Sequence, residues 1–323
     1  MDDIHPDTIY AATPYGVYKS VDGADEWIKT SFPEENVTSL EISISDANYL
    51  IAATDYSVYL SDDHGDSWTL IWSDSKKVTN IAFNPNNPHS LFVGTNEYYV
   101  TPESFTYTEW MYKSTNTGKS WEKIIFNNGS ENLCFQEVRK IIVDPSDTTK
   151  IYVGIESSSN SDGCMLVSHN NGALWSMKDL TGDIWQEIIA MVATPEGYEN
   201  HHVCAVVKGA LDNRLFISND YGISWNEKSF SSSTRLYGGA IYISKDYPNM
   251  LYLGAKYESG DIHASLVAFD LEEEKYYYLP GTPLSYPSSY LTNGSSKACG
   301  RTSPSGLPRW GTLSGTRSPP DRA

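Results

Sequence analysis

The stretch Ser61-Asp62-Asp63-His64-Gly65-Asp66-Ser67-Trp68 decides how the rest of the chain is read. Its skeleton is Ser, a free position, Asp or Asn, a free position, Gly, two free positions, Trp. That skeleton returns as Ser114, Asn116, Gly118 and Trp121, as Ser168, Asn170, Gly172 and Trp175, and as Ser218, Asp220, Gly222 and Trp225. A first copy, Ser20, Asp22 and Trp27, carries Ala24 where the others carry Gly. The five tryptophans fall 41, 53, 54 and 50 residues apart, so the chain is an array of one repeated unit. Each residue type has a physical reason to be there. An Asp or Asn side chain accepts hydrogen bonds from backbone N–H groups of its own turn. Gly takes the positive φ that a tight hairpin needs. Trp buries a large ring beneath the turn while its indole N–H seeks an acceptor. These residues read as a device that locks a turn, not as a catalytic set.

The flanks repeat too. Ahead of the boxes lie Gly16-Val17-Tyr18-Lys19, Ser57-Val58-Tyr59-Leu60 and Arg214-Leu215-Phe216-Ile217. Further upstream come Ser90-Leu91-Phe92-Val93-Gly94, Lys150-Ile151-Tyr152-Val153-Gly154 and Met250-Leu251-Tyr252-Leu253-Gly254. Before those sit Ile81-Ala82-Phe83-Asn84-Pro85 and Ile141-Ile142-Val143-Asp144-Pro145. Short apolar runs between Asn, Asp, Pro and Gly turns are strands. Each unit therefore reads as strand A, a turn, strand B, a loop, strand C, the box and strand D. With 23 Tyr and 9 Trp among 323 residues, the composition agrees with an all-β chain.

These units resemble the Asp-box repeats of sialidases, sortilin-type receptors, two-propeller xyloglucan hydrolases and photosystem II assembly-factor propellers. The resemblance covers about residues 5–282 and implies an all-β fold, a β-propeller of about six four-stranded blades with room for a seventh. Residues 1–290 are expected to form it. The first unit opens on Thr8-Ile9-Tyr10-Ala11-Ala12, a strand B, so it lacks its own strand A, and a stretch past Gly281 is a candidate to supply one. A degenerate box is expected around Phe269-Asp270. Residues 291–323 read as a tail without strand pattern, disordered or foreign to the propeller: from 296 onward they hold five basic residues and one acid among Gly, Ser, Pro and Thr.

The formal charge is −18, which argues against nucleic acid as a partner. No apolar run is long enough to insert in a membrane. The start, Met1-Asp2-Asp3-Ile4-His5-Pro6, lacks the basic and apolar segments of an export signal, although Asp-box relatives are mostly extracytoplasmic. The compartment stays open, and a monomer is expected. Cys134, Cys164, Cys204 and Cys299 show no metal-ligand spacing and are expected as buried thiols, with Cys134–Cys164 or Cys164–Cys204 as the alternative disulfides. No cofactor or metal is expected. His201-His202, in an A–B turn, reads as a solvated pair.

Propeller geometry places the A–B turns and boxes on one face and the B–C and D–A connections on the other, where ligands usually bind. Aromatics that the repeat does not need collect on that second face. They are Trp72 and Trp185 in D–A connections, and Tyr98, Tyr99, Tyr107 and Trp110, with Phe105, in the insertion between Asn96 and Trp110. Such rings suit sugar faces or a protein partner. The leading expectation is a non-catalytic binding or scaffold propeller that engages a protein or glycan there. The alternative is a glycoside hydrolase-like propeller, complete or truncated, of xyloglucanase or sialidase type. A sialidase needs three arginines, and Arg139, Arg214 and Arg235 are present, but no Arg-Ile-Pro motif precedes the first box. Glycoside hydrolysis needs paired carboxylates. Glu137 and Glu187 lie near strand A entrances, though nothing in the sequence singles them out.

Overall fold

In the computed structural model, residues 7–96, 98–100, 105–107, 110–129, 137–155, 165–180, 187–208, 213–230, 234–259 and 262–280 are described. All their regular structure is β. Unit one is a three-stranded sheet, β1 (Ile9–Thr13), β2 (Gly16–Ser20) and β3 (Ile28–Lys29). Unit two pairs β4 (Ser39–Ile42), β5 (Leu50–Ala53), β6 (Ser57–Ser61) and β7 (Thr69–Ser73) in order. Unit three holds β8 (Lys77–Asn84) and β9 (Asn87–Asn96), then a separate hairpin of β10 (Tyr98–Val100) and β11 (Phe105–Tyr107), then β12 (Trp110–Ser114) and β13 (Glu122–Ile124). Unit four is β14 (Val138–Val143), β15 (Ile151–Ile155), β16 (Met165–Ser168) and β17 (Ser176–Lys178). Unit five is β18 (Glu187–Ala193), β19 (Val203–Lys208), β20 (Asn213–Ser218) and β21 (Asn226–Lys228). Unit six is β22 (Thr234–Ile243), β23 (Met250–Ser259), β24 (Ile262–Asp270) and β25 (Lys275–Pro280), and the pair Asn213–Leu236 joins it to unit five.

Every unit is an antiparallel meander, as the strand–turn–strand reading expects, and unit one lacks an inner strand among the described residues. The first strand of units two to five packs against the first strand of the following unit, β4 on β8, β8 on β14, β14 on β18 and β18 on β22. The second strands show how the stack is held. Leu91 and Val93 enter the seam with unit two, while Phe92 between them enters the seam with unit four. Ile151 and Val153 face unit three, and Tyr152 faces unit five. A strand buried on both sides must be apolar at every position, which is why these segments read as continuous apolar runs.

A glycine near the end of two of these strands is a packing requirement. A methyl group at Gly94 would lie 2.6 Å from Val138 Cγ1, and one at Gly154 would lie 2.5 Å from Ile188 Cβ. Each glycine lets the next unit's inner strand close on it.

The boxes do what their residue types demand. In unit two the Ser61 hydroxyl donates to Asp63 at 2.7 Å and accepts from the Gly65 N–H at 2.8 Å. Asp63 Oδ1 accepts from the Ser67 N–H at 2.8 Å. The same bonds recur around Asn116, Asn170 and Asp220. Two consecutive residues of each turn take positive φ, such as His64 at 58° and Gly65 at 82°. In unit one Gly23 comes one place early, so Ala24 carries φ 80°.

The box tryptophans reach backwards along the chain. Trp68 meets Phe32 of unit one edge-on at 5.1 Å, and Trp175 meets Phe126 of unit three at 5.0 Å. The Trp121 indole donates to the Ile71 carbonyl of unit two at 3.1 Å. Trp225 packs on the seam that holds Tyr152 of unit four. Each of these four rings fastens its unit to the one before. Trp27, whose unit has no predecessor in the described chain, is 41% exposed.

The degenerate box expected near Asp270 exists. Asp270 Oδ1 accepts from the N–H groups of Glu272 and Glu273, and the Leu271 N–H donates to the Asn249 carbonyl. The same link to the A–B turn joins His64 to Asn48, Thr117 to His89 and Asn171 to Thr149. Boxes and A–B turns therefore share one face. Cys204 is a buried free thiol, pushed up in pKa by that burial, so the Cys164–Cys204 bridge is not formed. Cys134, Cys164, Cys299, Trp185 and the tail from 291 lie outside the described residues.

Candidate functional site

The face opposite the boxes carries what the repeat does not explain. The register of the inner strands breaks once between Val78 and Asn80, once between Val138 and Lys140 and once between Ile188 and Ala190. Each break adds a residue, Thr79, Arg139 or Ile189. A β-bulge at a rim re-aims the side chain it carries.

At Arg139 the result is a row of charges. Its Nη1 lies 3.0 Å from Glu137 Oε1, and its Nε lies 3.4 Å from Glu187 Oε1, the first residue of the next unit's inner strand. Lys208 Nζ, on β19, approaches the other Glu187 oxygen at 2.8 Å. The Asn96 amide, at the end of β9, donates to Glu137 Oε2 at 2.9 Å. The side chains of Glu137 and Glu187 are only 19% and 20% exposed. One row thus crosses three units from Asn96 to Lys208. Burial pushes the neighbouring Lys140 ammonium down in pKa, against the pull of Glu41 on β4, two units away. The sequence reading noted Glu137 and Glu187 but could not join them, because the join is a bulge, and a bulge is a property of two paired strands.

The aromatic candidates separate. Trp72 is not in a D–A connection on the face. It lies on β7, 8% exposed, in the seam with unit three, tilted against Tyr112 at 5.9 Å. Its ring is filled space between units, which corrects the sequence placement. Tyr98 and Tyr99 lie on β10 and Tyr107 on β11, a hairpin outside the four-stranded sheets that begins two residues after Asn96. Trp110 opens β12, opposite Thr95 of β9.

His201 and His202 are also corrected: neither is solvated. His201 Nε2 lies 2.7 Å from the fully buried Asp144 of unit four, and its ring stacks on Tyr221 at 3.9 Å. His202 is 5% exposed, with Nδ1 at 2.8 Å from Asn219 Oδ1. Burial works against the Asp144 carboxylate, yet hydrogen bonds from His201, Ser146 and Tyr152 hold its pKa below the usual range. This is a joint between units four and five on the box face. Among the described residues no cluster of three or more His, Cys, Asp or Glu side chains could hold a metal ion.

No family model and no curated protein matches the chain. Solved structures do. An ancestral GH74 enzyme is similar over 84% of this chain and 36% of its own, at TM-score 0.60 and 18% identity. The Niastella koreensis GH74 enzyme is similar over 85% and 44%, at 0.56 and 16%. The chain thus spans less than half the length of these two proteins. The structure of YCF48 bound to D1 peptide is similar over 84% of this chain and 78% of the other, at 0.55 and 15%. Likenesses at such identities show the fold alone, and that fold is the β-propeller.

Proposed function

We propose that this is a non-catalytic binding propeller that engages a protein or glycan on the face opposite its boxes. The observation that carries the reading is the β10–β11 hairpin, a two-stranded sheet outside every blade. It is rich in aromatic residues and springs from Asn96, which is tied to the row of Glu137, Arg139 and Glu187. Aromatic residues supply contact area at low entropic cost, and a fixed polar row beneath them sets orientation. Tyr98, Tyr99, Tyr107, Trp110 and Trp185 are the proposed contacts. Trp72 drops out because its ring is buried between blades.

The neighbours favour both halves of this reading, since they include GH74 enzymes and a propeller bound to a peptide. The second reading, a glycoside hydrolase-like protein, draws on the Glu137–Glu187 pair. Against it stands Arg139, whose guanidinium lies within ion-pair distance of both carboxylates, 3.0 Å from Glu137 and 3.4 Å from Glu187, and so comes between them. A glycosidic oxygen would have to sit in that space for one acid to protonate it.

The test is binding to an array of plant and bacterial glycans and to immobilised proteins, followed by Trp110→Ala and Tyr99→Ala. The proposal expects about ten-fold weaker binding in each variant, as for interface aromatics, with the thermal midpoint unchanged. Variants that bind like the parent would remove this face from the function. Release of reducing sugar by the parent, abolished by Glu187→Gln, would replace the binder with the hydrolase.

A further inference from the structure

The described surface also holds a cavity on the opposite face, among the A–B turns. It measures 660 Å³ and is bounded by Ile44 and Ser45 of the second blade, Pro85 and Asn86 of the third, Pro195 to Tyr198 of the fifth, and Lys245 and Pro248 of the sixth. Turns from four blades converge on it, so it is a funnel at the box-side end of the stack of inner strands. Its volume is that of a site for one or two side chains or a small ligand.

Two properties of its wall choose an occupant. The first is apolar: proline rings from three blades and the Tyr198 ring surround the opening, and Ile44 stands 41% exposed at the edge. Tyr247, also 41% exposed, flanks it in the turn between Lys245 and Pro248. Tyr198 is fixed in place, its hydroxyl donating to Glu272 Oε1 at 3.0 Å. The second property is charge. Glu196 lines the funnel, Glu199 and Asp246 stand exposed in the turns that form it, Asp46 is held by Asn48 in a third turn, Glu272 lies behind Tyr198, and Lys245 is the cation of the lining.

We propose that this funnel is a docking site for a basic polypeptide segment of a partner, which seats one apolar side chain among the prolines while its lysines or arginines meet the surrounding carboxylates. An apolar anchor in a pocket with complementary charge at the rim is how a small site gains affinity and orientation together. The occupant is the opposite of an acidic or nucleic-acid ligand, which the same carboxylates repel.

The experiment uses the full chain and a fluorescein-labelled lysine peptide with a central leucine, read by anisotropy. Its control is the same peptide with serine in the centre. The leucine peptide is expected to bind about ten-fold tighter than the serine peptide, and to weaken as salt rises above about 0.1 M. Glu196→Lys with Asp246→Lys should weaken both peptides, and both substitutions are at exposed turn positions that leave the core intact. Ser45→Trp, which fills the funnel, should reduce the leucine peptide to the affinity of the serine one. Trp110→Ala, on the other face, should change neither, which separates this site from the proposed glycan or protein face. Equal affinity for the two peptides, indifference to Ser45→Trp, loss of binding in Trp110→Ala, or displacement by a neutral oligosaccharide would each overturn the proposal.

Discussion

The two faces of the propeller are built on different plans. On the box face the same bonds are made blade after blade: Ser61 to Asp63, Ser114 to Asn116, Ser168 to Asn170 and Ser218 to Asp220 at 2.7 to 3.0 Å. Even the degenerate sixth turn keeps its link from Leu271 to Asn249. On the other face, among the described residues, the inner-strand bulge recurs from blade to blade but what it carries does not. One blade carries an extra hairpin, one bulge carries an arginine where its counterparts carry Thr79 and Ile189, and one row of charges crosses three units. A repeated feature is what a stack needs for stability, since each blade buries its faces only against neighbours. A feature present once has no such duty. Stability accordingly rests on the repeated bonds, and the two proposed binding sites both lie where the repeat is departed from, the funnel among the A–B turns included.

The sharpest test sets two box tryptophans against each other. Trp175 is 3% exposed and edge-on to Phe126, whereas Trp27 is 41% exposed. Trp175→Ala should cost about 3–5 kcal/mol in urea unfolding, as for a large buried aromatic. Trp27→Ala should cost less than about 1 kcal/mol, as for a surface substitution. Equal costs would mean that Trp27 is covered in solution, and that the first blade has a neighbour there.

A smaller effect tests the seams themselves. Gly154→Ala places a methyl group 2.5 Å from Ile188 Cβ, a contact that only movement of an inner strand can relieve. Overpacking of this kind costs about 1–3 kcal/mol. A variant that melts with the parent would show that the seam between the fourth and fifth blades gives way freely, contrary to its close packing.

Most of the repeated face was legible in sequence because its interactions are local. Ser61, Asp63, Gly65 and Trp68 span one turn, so their spacing is their geometry. The unique face was legible only as composition. The aromatic excess around Tyr98 and Trp110 stood out, but Trp72 carried the same signal and is core. Its burial is set by Val78 and Ile81 of the next blade, which no local pattern reports. His201 was misread for the same reason: its partner Asp144 lies 57 residues away in the preceding blade. In sequence Arg139 stands only as one of three arginines beside Arg214 and Arg235, whereas its surroundings come from a bulge and from Glu187, and both depend on pairing between distant segments.

The smallest effect separates the boxes from one another. Burial opposes ionisation of Asp63 and Asp220, but hydrogen bonds from Ser67 and Ser61, and from Ser224 and Ser218, outweigh it and hold both pKa values below the ordinary carboxylate range. The third and fourth blades use Asn116 and Asn170 at the same position, and an amide does not titrate. A carboxylate whose folded pKa is depressed adds stability above its unfolded pKa near 4, and loses it as the pH falls through the lower folded value. Asp147, held at about 2 by Lys150 and Thr149, extends that window downward. The parent should therefore lose stability as the pH drops from about 5 towards 2. The double variant Asp63→Asn, Asp220→Asn should give up less over the same interval, because its turns resemble the two amide boxes. Urea midpoints at neutral and acid pH measure both slopes. If the double variant loses as much as the parent, the acid sensitivity belongs to the depressed carboxylates outside these two boxes, Asp144 and Asp147 on the A–B turns among them, and these boxes are interchangeable in charge as well as in shape.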